Sequence, residues 1–244
     1  MRVGMIQSCY LAWRGYFDFI DDVDLFVIYD DVQYTRKDWR NRNRIKTAAG
    51  TRWITVPVHF SHNDKIRIQD ARIDYGQGWQ RKHTGTILQA YHGAPYFKDY
   101  AEPLFALLNS GYETISQLNV ALIAWCMEQL GIHVPLRYSC EFTGSGDRNE
   151  RILAILAELG CREYLVGPAA RSYLDEDAYR RAGIGLFYKT YDYEPYPQLH
   201  GDFDGSVSVI DLLFNCGPDA RRHLKSKAAN IRAGQFQPRF DPHS

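Results

Sequence analysis

The chain opens with two apolar segments, residues 1–6 and 25–29, separated by a polar and aromatic loop and a short helical stretch, 16–22. A strand, a helix and a strand in so few residues form one βαβ unit, and its crossover makes the strands parallel. Parallel strands are covered on both faces, which matches their unbroken apolar character. Each segment is followed at once by polar and aromatic groups. The first leads into Gln7, Tyr10, Trp13, Gly15 and Tyr16, and the second into Asp30, Asp31, Gln33 and Tyr34. Open α/β sheets bind ligands just beyond their carboxyl strand ends, so the N-terminal block is where a site is expected.

Alternation continues along the chain. Strands are predicted at 53–58, 134–140, 164–166 and 186–188. Helices are predicted at 76–91, 96–108, 114–130, from Asp147 to a stop at Gly160, at 175–182 and at 209–214. Ile66, Ile68 and Ile73 alternate as a short edge strand would. The order predicts an α/β fold, a three-layer sandwich around a mostly parallel, Rossmann-like sheet. Residues 1–225 read as one domain. From 226 to 244 apolar periodicity is lost, and a flexible C-terminal tail is expected.

Lys and Arg number 29 and so do Asp and Glu, giving zero formal net charge. Overall charge therefore does not draw the chain to nucleic acid or an anionic membrane, and no nucleic-acid module is present. The five cysteines have no metal-clip spacing, which predicts reduced thiols and a cytoplasmic protein. No signal peptide and no membrane-spanning segment is recognised. Seventeen tyrosines point to a polar cleft or wet interface, because a buried phenol needs a hydrogen-bond partner.

Several constellations carry candidate chemistry. Trp13-Arg-Gly-Tyr16 stands where HIGH-type nucleotidyltransferases carry His-x-Gly-His, without the histidines, so the likeness is topological. Trp13 and Phe17 equally suit packing of the helix on the sheet. Asp30 and Asp31 offer a base or a divalent-cation ligand, but neighbouring strand residues face opposite sides, and one of the pair suits a turn cap. Trp39-Arg40-Asn41-Arg42-Asn43, with Arg36 and Lys37 upstream, combines guanidinium forks and amides suited to phosphate or carboxylate. Lys82 and His83 supply a possible base or anion contact. His59 and His62 lack a third ligand, so no metal site is assigned. The Gly144-Ser-Gly-Asp-Arg148 turn before Arg151 resembles an anion-binding helix start without the P-loop ending. Gly167 to Tyr173 forms a second candidate lip. Tyr191, Tyr193, Tyr196 and Gln198 form an aromatic loop, and Asp211 and Asn215, four apart on one helix, reach toward the same pocket.

Together these motifs resemble the WbqC-like protein family. The likeness rests on Gln7-x-x-Tyr10-Leu-x-Trp13-x-Gly15-Tyr16-Phe17, Asp24-x-Phe26 to Tyr34, Trp39-x-Asn41-Arg42-Asn43 and Trp53-Ile-Thr-Val-Pro57. It continues through Asp147-x-x-x-Arg151, Tyr164-Leu-x-Gly167-Pro, Tyr173-Leu, Tyr191-x-Tyr193, Tyr196-x-Gln198 and Ser208-x-Ile-Asp211 to Asn215-x-Gly217. Two positions depart from it. Family members commonly begin Gln-Pro where this chain has Gln7-Ser8, and often carry Lys-Thr where it has Arg148-Asn149.

The resemblance implies a place in O-antigen, surface-polysaccharide or natural-product biosynthesis. From it follows the expectation of a small-molecule group transferase, amide formation included, acting on a nucleotide-activated sugar or phosphate-bearing metabolite. In that reading Arg42, Asn41 and Asn43 hold the anion, Gln7, Tyr16 and Asp31 bind the reacting partner, and His83, Asp30 or Asp31 is the base. A non-catalytic binding or assembly protein of the same pathway is the alternative, and a metal-dependent glycosyltransferase the second. No motif names a cofactor or an oligomeric state.

Overall fold

The computed structural model of the chain describes residues 1–60 and 65–235. Strand β1 (Arg2–Ile6) and strand β2 (Leu25–Ile28) are joined by helix α1 (Arg14–Ile20) and pair in parallel, with Gly4 beside Phe26. Phe19 of α1 lies directly on β1. A Cβ at residue 4 would stand 2.4 Å from its ring, so the close helix–strand approach requires glycine there.

The sheet extends on both sides of this unit. Strand β5 (Leu136–Tyr138) pairs with β2, and β6 (Glu163–Val166) with the free side of β1, both in parallel. Strand β7 (Gly185–Tyr188) follows β6 in parallel, and the short β8 (Ile231–Arg232) closes the edge antiparallel to β7. The spatial order is β5-β2-β1-β6-β7-β8.

Because side chains alternate across a strand, the two faces feed separate cores. Phe26, Ile28 and Leu165 face one side with α1, α4 (Ile115–Gln129) and α7 (Val209–Cys216). Val3, Met5, Val27, Tyr164 and Val166 face the other, under α5 (Arg148–Glu158) and Tyr179 of α6 (Glu176–Arg181). The sandwich is therefore three-layered and mostly parallel. Helices α2 (Trp79–Tyr91) and α3 (Phe97–Asn109) extend the first core.

Two regions differ from expectation. The 39–43 segment is not wholly a loop: β3 (Arg42–Thr47) pairs antiparallel with β4 (Gly50–Thr55) in a separate hairpin. Arg42, Arg44 and Lys46 alternate along β3, which hides its strand character from an apolar search. The stretch predicted as an edge strand at 66–73 is instead irregular, with a 3-10 turn at Ile68–Asp70. It buries Ile68 and Ile73 through isolated bridges, Gln33 to Arg67 and Val58 to Ile73. Residues 226–235, read as the start of the tail, include β8, and Thr190 Oγ1 donates to the Ala228 carbonyl. Residues 236–244 and His62 lie outside the described residues.

Lys189, just past β7, is 2% exposed and pairs with Asp18 of α1 at 2.7 Å and Asp22 at 2.6 Å. Burial works to raise the Asp22 carboxyl, but hydrogen bonds from Lys189, Lys225 and Asn230 outweigh it and hold the pKa at about 2, against 3.8 ordinarily. A depressed carboxylate stabilises the fold above its unfolded pKa, and this contribution disappears as pH falls from about 4 toward 2. Lys189→Met removes the buried cation of this cluster, leaving Lys225 as the ammonium partner of Asp18 and Asp22, and is expected to cost about 3 kcal/mol in urea unfolding at neutral pH.

Candidate functional site

Strand β1 is followed in space by β2 and β5 on one side, and β6 by β7 on the other. Connections leaving β1 and β6 therefore diverge, and a crevice opens beyond their carboxyl ends. A cleft of about 510 Å³ lies there, bounded by Ile6 at the end of β1 and Ala169 after β6. Its walls are Trp13, Tyr16, Trp39, Arg40, Arg44 and Tyr191, with Cys9 in its lining. A cavity of about 580 Å³ sits at the opposite end of the sheet, beside the start of β7, away from the switch in strand order.

The loop from Gln7 to Trp13 forms one side of the cleft, and buried side chains satisfy its backbone. The Ser8 amide donates to Asp30 Oδ1 at 2.8 Å, and Arg40 Nη1 donates to the Ser8 carbonyl. The Tyr10 amide donates to the Trp39 carbonyl. Asn43 Nδ2 reaches the carbonyls of Tyr10 and Leu11, at 3.1 and 2.9 Å, where Leu11 adopts a left-handed φ of 41°. The Ala12 carbonyl accepts from the Val209 amide of α7. Trp13 then folds over the start of α1, where a Cβ at residue 15 would lie 2.3 Å from its indole. Gly15 thus makes room for the ring, which meets Tyr191 edge-on at 5.0 Å.

Two cations face this aromatic lining. Arg40 is 11% exposed, reaches Gln7 Oε1 through Nη1 at 3.3 Å, and has a buried Nε without an acceptor among the described residues. Arg44 donates to the Ser206 carbonyl through Nη2 and likewise keeps an unmatched buried Nε. Burial raises the Tyr16 phenol well above its ordinary pKa, so it stays protonated and donates to the Gln7 carbonyl at 3.2 Å. Burial also raises the Cys9 thiol, with Arg40 opposing. The lining can accept a planar or ring-bearing anion.

Sequence-predicted site residues divide into several groups. Trp13, Tyr16 and Asn43 line the cleft, with Gln7 behind Arg40 and Gly15 under the Trp13 ring. Asp30 is 3% exposed and spent internally, accepting from Ser8 and, at 2.5 Å, from Ser116 Oγ. Asp31 faces the opposite side, taking Ser139 Oγ at 2.5 Å and an ion pair with Arg151. The two carboxylates therefore do not converge. His83 is buried: its Nε2 meets the Thr55 carbonyl, which only accepts, so that nitrogen carries the proton and Nδ1 accepts from the Tyr10 hydroxyl at 2.8 Å. Lys82 is exposed, and Gln33 is exposed beside Arg67.

Asn43 is a loop tether, as described, while Asn41, Arg42 and Tyr34 line a separate, smaller pocket. Asp211 is fully buried in α7 and takes hydrogen bonds from Tyr91, Tyr196 and Gln198, while Asn215 donates to its carbonyl. Tyr196, Gln198, Asp211 and Asn215 thus join the 191–198 loop to the core and are absent from the cleft lining. At the start of α5, Asp147 and Glu150 cap one another's amides, occupying the donors that an anion would use. Arg148 stacks on the exposed Tyr173 at 4.6 Å, and Gly167 precedes the turn at Pro168–Ser172. Cys9, Arg44 and Ser206 are cleft residues that the sequence did not single out, while Ala169 belongs to the lip expected at Gly167 to Tyr173. Cys9 carried the clearest signal, lying three residues past the end of β1.

Among the described residues, no three His, Cys, Asp or Glu side chains converge on a possible metal position. No helix of the described residues is long and apolar enough to cross a membrane. Comparison with known proteins gives two matches in sequence. The model of the WbqC-like protein family matches residues 7–223. An uncharacterized protein of Mycobacterium tuberculosis is 40% identical over 226 residues, covering 92% of this chain and 97% of its own length. No solved structure matches.

Burial lowers the His83 pKa to about 4 from 6.5, against the favourable bond to Thr55. At pH 7 both folded and unfolded forms are neutral. Between pH 6.5 and 4 the unfolded chain binds the proton first, so stability falls as pH falls. His83→Gln is expected to flatten this slope by about 1–3 kcal/mol between pH 7 and 4.5, measured as the shift in urea unfolding.

Proposed function

This chain belongs to the WbqC-like protein family, and we propose that it is a small-molecule group transferase working in the cleft beyond β1 and β6. Its substrate is a nucleotide-activated sugar or another phosphate-bearing metabolite of surface-polysaccharide or natural-product biosynthesis, and amide formation is one transfer that such a site can serve. The carrying observation is the pairing of Arg40 and Arg44 with Trp13, Trp39 and Tyr191 around a crevice at the switch in strand order. Guanidinium groups recognise phosphate oxygens, and the rings offer faces to a base or sugar. Both buried Nε atoms gain an acceptor when an anion enters, which offsets the cost of leaving them unmatched. Gln7 and Tyr16 position the second reactant from the floor. In this reading Arg40 and Arg44 replace Asn41, Arg42 and Asn43 as the anion grip.

A second reading is a non-catalytic binding or assembly protein of the same pathway. It is favoured by the engagement of Asp30, Asp31 and His83 in internal contacts, which removes the three expected bases from the cleft. A metal-dependent glycosyltransferase has less support, since Asp30 and Asp31 point to different sides of the sheet.

A thermal-shift screen of nucleotide-sugars and simpler phosphates is expected to raise the melting temperature of the wild-type chain. Arg44→Ala is expected to weaken the best ligand about 10–100-fold, the value of one or two charge-assisted hydrogen bonds. Unchanged affinity in Arg44→Ala removes the cleft from the proposal. Binding without turnover for every donor and acceptor pair favours the second reading.

A further inference from the structure

Beside the β3–β4 hairpin lies a second pocket of about 310 Å³ that shares no lining residue with the cleft. Among the described residues its charged lining is Arg36, Lys37 and Arg42, with no Asp or Glu. Arg42 is held in place by stacking, its guanidinium carbon 4.2 Å from the centre of the Trp53 ring. Stacking uses the face of a guanidinium and leaves its N–H groups directed outward in the plane. Among the described residues Arg42 has no carboxylate partner, and its buried Nε has no acceptor. A buried donor left unmatched costs free energy until an acceptor arrives.

Asn41 supplies a second, independent observation. It is 6% exposed, and its Nδ2 donates to the Val56 carbonyl at 2.8 Å, which fixes the orientation of the amide. The other end, Oδ1, is buried in this lining without a donor. An anion without an O–H group, such as sulfate, supplies acceptors to Arg42 but nothing to Asn41. A ligand that satisfies both carries a negatively charged group and a hydroxyl. Tyr34 and Phe60, with ring centres 5.6 Å apart, wall the pocket beside these groups. Burial lifts the Tyr34 phenol to about 12, which keeps it a donor at neutral pH. Lys37 occupies a left-handed φ of 54°, an uncommon setting for a side chain with a Cβ. The pocket is at the small end of ligand sites, so its occupant is compact.

We infer that this pocket is a second, separate binding site, and that it takes the phosphate monoester of a small hydroxylated compound. Arg42 and Lys37 bind the phosphate, and Asn41 accepts a hydrogen bond from the hydroxyl. The site does not depend on the transferase reading, because none of its lining residues lines the cleft.

Calorimetric titration of the full chain with glycerol 3-phosphate tests it, with methyl phosphate as the probe lacking the hydroxyl and glycerate as the probe lacking the phosphate. Saturable binding of glycerol 3-phosphate is expected, with both other probes at least several-fold weaker. Arg42→Gln and Lys37→Asn are each expected to weaken it about tenfold, the change in one charged contact. Lys37 is exposed and asparagine tolerates its backbone angle, so that variant keeps the fold. Arg44→Ala, which alters the cleft and not this lining, is expected to leave the affinity unchanged. No saturable binding to the wild-type chain overturns the inference, as does binding that survives both substitutions. Binding lost in Arg44→Ala and kept in Arg42→Gln assigns the phosphate to the cleft and also overturns it.

Discussion

The cleft exists because a loop without regular partners is held by buried polar side chains. From Ser8 to Ala12 the backbone has no ladder of its own, and each buried amide or carbonyl needs a partner. Asp30, Asn43 and Arg40 provide most of them, while Asn119 of α4 ties Ser8 Oγ to the Arg40 carbonyl. One side chain thus fixes two segments at once. Loss of Asn43 frees two carbonyls of the same loop, and the position of Trp13, the next residues along, depends on them. The lining of the cleft is held in place by hydrogen bonds within the protein.

A second buried hub places the hairpin. Asp211 gathers Tyr91, Tyr196 and Gln198, and Gln198 Oε1 accepts from Lys46 of β3 at 2.9 Å. The Lys46 amide in turn donates to the Tyr91 hydroxyl at 3.0 Å. A carboxylate, an amide and an ammonium group therefore lock β3 against α2 and α7, and the hairpin contributes residues to both cavities. The abundance of tyrosine acquires a different meaning here. Tyr91 and Tyr196 serve Asp211, Tyr193 serves Asp18 at 2.7 Å, and Tyr188 serves Glu176 at 2.6 Å. Many phenols are interior donors to carboxylates, and only Tyr16 and Tyr191 line the cleft.

Sequence alone made the sheet legible because β1, β2, β6 and β7 are apolar runs separated by periodic helices. Strand β3 escaped because its buried face offers Asn43 and Ile45 while its other face carries arginines, so the apolar signal is one residue long. The location of the site was legible for a different reason: polar residues just past β1 have no role in a parallel sheet except to line its end. Their individual roles were not legible. Asn43, which tethers a loop, and Asn41, which borders a pocket, are two residues apart and identical in type. Only the partner of each amide distinguishes them, and partners are set by tertiary contacts between positions such as 43 and 10.

Ser8 shows how far a single position redistributes these roles. The related motif commonly has proline there, which has neither an amide hydrogen nor a hydroxyl. In this chain the Ser8 N–H holds Asp30 Oδ1 and its Oγ accepts from Asn119. The stiffness that a proline ring would lend the loop is replaced by two hydrogen bonds, one of which engages the carboxylate at the end of β2. Ser116 takes the other oxygen of that carboxylate. Asp30 is thereby committed on both sides, and its commitment follows from the same residue that departs from the motif. What the loop leaves facing the cleft includes the indole of Trp13 and the thiol of Cys9, beside the guanidinium groups of Arg40 and Arg44.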